Sequence, residues 1–126
     1  MTAYADFYRR SLDDRNAFWA EQAKLIEWHH TPNSICDEGR PPFTRWFADG
    51  TTNLCHNAVD RHLKQRADQP ALIYVSTETG AERTYTFRQL HTEVQQAAAV
   101  LRGLGVKKGD RVLIYMPMIA EAAFAM

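Results

Sequence analysis

Tyr74-Val75-Ser76-Thr77-Glu78-Thr79-Gly80 is the string whose residue types come nearest to nucleotide chemistry. A Thr/Gly-rich loop cradles phosphates when its N–H groups point inward and a helix N-terminus follows. An aromatic residue ahead of Thr-Glu can also offer a glutamate to magnesium. Here the string spans the end of a strand and a turn, a second strand follows, and no lysine is adjacent. It reads as an exposed hairpin, and neither chemistry is assigned to it.

Metal and nucleophile chemistry come next. Cys55, Val59 and His62 share one helical face, and Cys36 is the only other thiol. A zinc site needs three or four suitable ligands, and no second close pair completes this one. The pattern fits a small buried thiol and a histidine at the rim of a core. His29-His30, beside Trp28, reads as a polar loop, and His91 is expected on the solvent side of its helix. Asp60 and Lys64 are spaced for an i, i+4 ion pair. Lys107-Lys108 is a solvated turn. Arg40-Pro41-Pro42 is stiff and extended but lacks the second turn of a proline-rich ligand. The chain yields no Ser-His-Asp set, paired carboxylates or Gly-x-Gly-x-x-Gly. No catalytic, cofactor-binding or metal residue is therefore assigned.

The bulk properties narrow the function classes. Among 126 residues, Lys+Arg and Asp+Glu are 15 each, so the formal charge is zero. A dedicated nucleic-acid binder would need excess cations to displace counterions. Apolar content of 45% and charged content of 24% mark a globular rather than a disordered chain. The N-terminus has no basic patch leading into an apolar core. Val112–Ala120 is too short to span a bilayer and contains Pro117. Two cysteines make no disulfide framework. The expectation is a cytoplasmic protein with neither nucleic acid nor membrane as partner.

Nine of the 14 aromatic residues lie in the first 47 positions, all three tryptophans among them, so this part should bury itself through a few large anchors. A helix is expected from about Ala3 to Ser11. A second follows, capped by Asp13 or Asp14, with Phe18, Gln22, Leu25 and Ile26 in one stripe. Thr31–Pro42 reads as an irregular connection. Trp46–Thr52 is a short extended segment turning at Asp-Gly. Asn53 caps a helix to about Gln65, with Leu54, Ala58, Val59, His62 and Leu63 inward, and Pro70 ends the connection.

Beyond Pro70 the pattern is regular. Ala71–Ser76 and Arg83–Tyr85 form a hairpin. Thr86 and Gln89 form a capping box for a helix with Leu90, Val94, Ala97, Leu101 and Leu104 on its inner stripe, stopped by Gly105. Arg111–Met116 is apolar on both faces, as in a covered parallel sheet, which predicts a βαβ crossover. Met118–Met126 reads as a helix apolar almost all round, with Glu121 its only charge. Such a helix must be enclosed, and the preceding elements are too few to enclose it. The expected fold is α/β. A helical, aromatic-rich segment (1–66) precedes the start of a large multi-strand domain (67–126), a β-hairpin plus βαβ truncated inside a helix.

Two strings exceed generic α/β character. Arg40-Pro41-Pro42-Phe43-Thr44-Arg45-Trp46-Phe47, with Thr51-Thr52-Asn53-Leu54-Cys55-His56-Asn57-Ala58-Val59-Asp60-Arg61-His62, resembles the N-terminal region of short-chain acyl-CoA synthetases. So does Thr84-Tyr85-Thr86-Phe87-Arg88-Gln89-Leu90, followed by Gly105-Val106-Lys107-Lys108-Gly109-Asp110-Arg111-Val112 and Tyr115-Met116-Pro117-Met118-Ile119. These belong to the acetyl-CoA synthetase-like branch of the AMP-forming adenylating enzymes, and the resemblance runs in order along essentially the whole chain. The second string marks only the superfamily. The first is more specific, and its Arg-Pro-Pro-Phe and Thr-Thr-Asn-Leu-Cys wording is similar to the propionate-using members. Ala48-Asp49-Gly50 departs from the more glycine-rich turn of the family, though Asp-Gly still supports a turn.

The resemblance implies a parent that activates propionate, or acetate as runner-up, with ATP to an acyl-adenylate and pyrophosphate. A small C-terminal domain then rotates and the thioester to CoA forms. ATP, Mg2+ and CoA would be used by the full-length protein. Its phosphate loop, aromatic-Thr-Glu motif, hinge aspartate and adenylation lysine would lie beyond Met126, so none carries over. This segment would be architectural, partnered by the rest of its own polypeptide, and alone it should self-associate. The rival reading is a free-standing α/β interaction module that holds a partner with its aromatic arm. The uncovered apolar helix counts against it, and a reading frame continuing past Met126 would discriminate the two.

Overall fold

In the computed structural model, which describes residues 3–126, the chain forms two compact units, one ending at Leu54 and one running from Cys55 to Met126. The first unit opens with α1 (Ala3–Asp13) and α2 (Arg15–Ala23). Asp14 separates them, its carboxylate accepting the Ala17 N–H at 3.1 Å as the N-cap of α2. Phe18 is the buried anchor. Phe7 meets it edge-to-face at 4.8 Å from one side and Trp19 at 5.2 Å from the other. The ring contacts continue from Trp19 to Trp46, Phe47 and Trp28. The Trp28 indole N–H is satisfied by the Ala23 carbonyl at 2.8 Å. Leu25 and Ile26, expected on the α2 stripe, lie past its end and are exposed.

The stretch expected to be irregular is partly ordered. β2 (Cys36–Arg40) pairs antiparallel with β3 (Phe43–Trp46), and β1 (Trp28–His30) with β4 (Thr51–Thr52). Cys-Asp-Glu-Gly-Arg has little strand propensity of its own, so the pairing owes more to its neighbour Phe-Thr-Arg-Trp. His29 and His30 thus sit on a strand rather than in a loop. The expected turn at Asp49-Gly50 is present, with the Gly50 N–H donating to the Phe47 carbonyl at 2.9 Å.

The helix expected over 53–65 is broken into α3 (Leu54–Ala58), a 3-10 turn at Asp60–His62, and α4 (Leu63–Arg66). The break is at Val59, whose φ of −126° leaves the helical region while its side chain is buried. Leu54, expected inward, is 80% exposed.

The hairpin β5 (Pro70–Val75) and β6 (Glu82–Thr86) forms as expected, Leu72 opposite Tyr85 and Val75 opposite Glu82. Pro70 is its first residue, where a missing N–H is tolerated. α5 (Phe87–Gly103) begins with the complete capping box: Thr86 Oγ1 accepts the Gln89 N–H, and Gln89 Oε1 accepts the Thr86 N–H at 2.9 Å. It ends in a Schellman motif. Gly105, at φ +87°, donates to Arg102, and Val106 donates to Leu101. Leu90, Val94, Ala97 and Leu101 are half-buried, whereas Leu104 is exposed.

Residues 111–116 differ from expectation. They are neither helix nor strand and belong to no ladder, with Leu113 87% and Tyr115 95% exposed. A strand needs a neighbour to pair with, and the β5–β6 hairpin supplies none here. The expected crossover is therefore a paired strand, a helix and an unpaired arm. α6 (Ala120–Phe124) starts two residues later than expected. It buries Ala120 and Phe124, the latter edge-to-face on Tyr85 at 5.2 Å, and leaves Met118 and Met126 outside. Among the described residues no helix is long and apolar enough to cross a membrane.

Candidate functional site

A row of titratable side chains in the second unit comes from α3, the 3-10 turn and α5. Their breaks and caps set it: the turn at Val59 swings Asp60 towards α5, and the capping box fixes where α5 begins. Asp60 presents one carboxylate oxygen to His56 Nδ1 and the other to His91 Nε2, each at 3.7 Å. Gln95, one turn along α5, reaches His91 Nε2 at 3.1 Å. His91, expected towards solvent, has a side chain only 27% exposed and faces this carboxylate. Asp60, expected opposite Lys64, is thus drawn into a His–Asp–His row. His56 and Asp60 at i, i+4 were the available sequence signal; His91 is distant in sequence and only the packing of α5 brings it in.

Neither thiol serves the row as a nucleophile. Burial pushes the neighbouring Cys55 thiol up, and the negative charge of Asp60 adds to it, so the reactive thiolate is disfavoured. Cys36 is on β2 in the other unit, and both cysteines are free thiols. His62, placed by its spacing with Cys55, has its ring against Phe87 at 5.0 Å, while the Arg66 guanidinium covers the same phenyl ring. Among the described residues no group of His, Cys, Asp and Glu could hold a metal ion.

The hairpin tip turns its donors on itself. The Gly80 N–H goes to the Ser76 carbonyl at 2.9 Å, the Thr79 N–H to Ser76 Oγ and the Ala81 N–H to Thr79 Oγ1. Amides spent this way do not converge on a phosphate. Lys107-Lys108 is similarly a closed turn, the Lys107 N–H donating to Asp110 Oδ2 at 2.7 Å. Beside α4, a hollow of about 380 Å³ is lined by Lys64, Arg66, Asp68 and Arg88, with Arg88 paired to Asp68 at 3.2 Å. In the first unit Asp49 accepts the Asn33 backbone N–H and, at 2.6 Å, its side-chain amide; these bonds hold its carboxyl below the usual range. Each arrangement fastens neighbouring chain, and none presents an acid, base or nucleophile to an enclosed space.

Two matches divide the chain between them. Residues 4–58 match the acetyl-coenzyme A synthetase N-terminus family, and residues 59–126 match the AMP-binding enzyme family. This chain therefore belongs to the AMP-binding enzyme family. Propionate–CoA ligase of Escherichia coli (strain K12) is 56% identical over 120 residues, covering 95% of this chain and 19% of that protein. Acetyl-coenzyme A synthetase of Bradyrhizobium diazoefficiens is 48% identical over 126 residues, 98% of this chain and again 19% of the relative. The fold is similar to acetoacetyl-CoA synthetase from Streptomyces lividans, with a TM-score of 0.83 and 33% identity over 99% of this chain and 19% of that one. The chain therefore spans about a fifth of the length of the curated relatives it matches.

Proposed function

We propose that this chain is the N-terminal part of a short-chain acyl-CoA synthetase. The whole protein joins propionate, with acetate as the second substrate, to CoA through an acyl-adenylate, consuming ATP with Mg2+, in the cytoplasm. The observation that carries the reading is the 56% identity to a propionate–CoA ligase along nearly the entire chain, against 48% to an acetyl-CoA synthetase. Residues 1–66 form the N-terminal region, residues 67–126 open the adenylation domain, and the role of both is architectural. The partner is the rest of the same polypeptide. Its cover over Leu113, Tyr115 and Met118 would supply the burial these residues lack in the segment alone.

ATP–pyrophosphate exchange tests the reading. The complete protein should exchange with propionate and acetate, and the 126-residue chain should stay at background. Exchange by the chain alone at a rate near that of the whole protein would overturn the architectural role. One methylene in an apolar pocket is worth roughly 1–3 kcal/mol, so propionate should lead acetate in kcat/KM by about tenfold to a couple of hundredfold. Acetate in the lead would reverse the substrate order and leave the adenylation chemistry standing.

A further inference from the structure

We draw no further inference here: the strongest candidate, the His56–Asp60–His91 side-chain cluster between the Leu54–His62 stretch and α5, belongs to the site already described and, among the described residues, supplies no set of donors that could hold a metal ion.

Discussion

A Cβ added to Gly50 would lie 2.8 Å from Trp28 Cζ3 and 3.2 Å from both the Phe47 carbonyl oxygen and Pro32 Cβ. A ring held by its own N–H···O bond and a backbone oxygen yield little, so Gly50→Ala should cost on the order of 1–3 kcal/mol. Gly103 is the opposite case: it is helical, and its added Cβ meets nothing within 4 Å. Gly103→Ala should stabilise by about 0.5–1 kcal/mol. Urea unfolding of the two variants against the parent chain checks both signs. Asp49 gives a pH dependence. Its carboxyl is depressed by the Asn33 backbone hydrogen bond first and the Asn33 side-chain bond second. A depressed acid stabilises the fold above its unfolded value of 3.8 and loses that contribution as pH falls through the lower folded value. Carboxyl-carbon NMR should therefore find Asp49 titrating below 3.8, and Asn33→Ala, which deletes the side-chain bond and keeps the backbone one, should move it part of the way back up. An unchanged titration in that variant would remove the Asn33 side-chain bond as a contributor, because alanine keeps the backbone N–H.

At the scale of elements, α5 is defined at both ends by short-range chemistry. Thr86→Ala removes the acceptor for the Gln89 N–H and should cost about 1 kcal/mol, read as faster amide exchange in the first turn of α5. Exchange as slow as in the parent would show that tertiary packing alone holds that end. This element was legible in the sequence because its signals are local: cap, stripe and glycine stop all lie within the helix and its flanks. The β5–β6 hairpin was legible for the same reason. The 53–65 helix was misread because one buried valine outweighs continuous helical propensity, and nothing in the neighbouring residues announces that. β2 was missed because its partner, not its own composition, makes it a strand. The Asp60–His91 approach is likewise set by packing between elements far apart in sequence. Arg111–Met116 carries a strand pattern whose realisation depends on a neighbour that the pattern itself does not encode.

For the whole chain, the exposed side chains of Leu113, Tyr115, Met118 and Met126 place a run of large apolar surface near one end of the second unit. The backbone of 111–116, which belongs to no ladder, overlaps the same run. Apolar surface together with unsatisfied strand edges drives association. The 126-residue chain should therefore sediment as more than a monomer in a concentration-dependent way. Leu113→Asp together with Tyr115→Asp should shift it towards monomer, and a wild-type chain that sediments as a clean monomer would refute this. The ring cluster of the first unit has an optical consequence. Trp19, Trp28 and Trp46 all belong to that unit, while Cys55–Met126 contains tyrosines and no tryptophan. Emission excited selectively through indole thus watches one unit only, whereas circular dichroism watches the helices of both, α1 and α2 as well as α5. The indole curve and the helical curve coincide if the units unfold together and separate if they do not, so the chain carries its own built-in dye for one half against a signal from the whole.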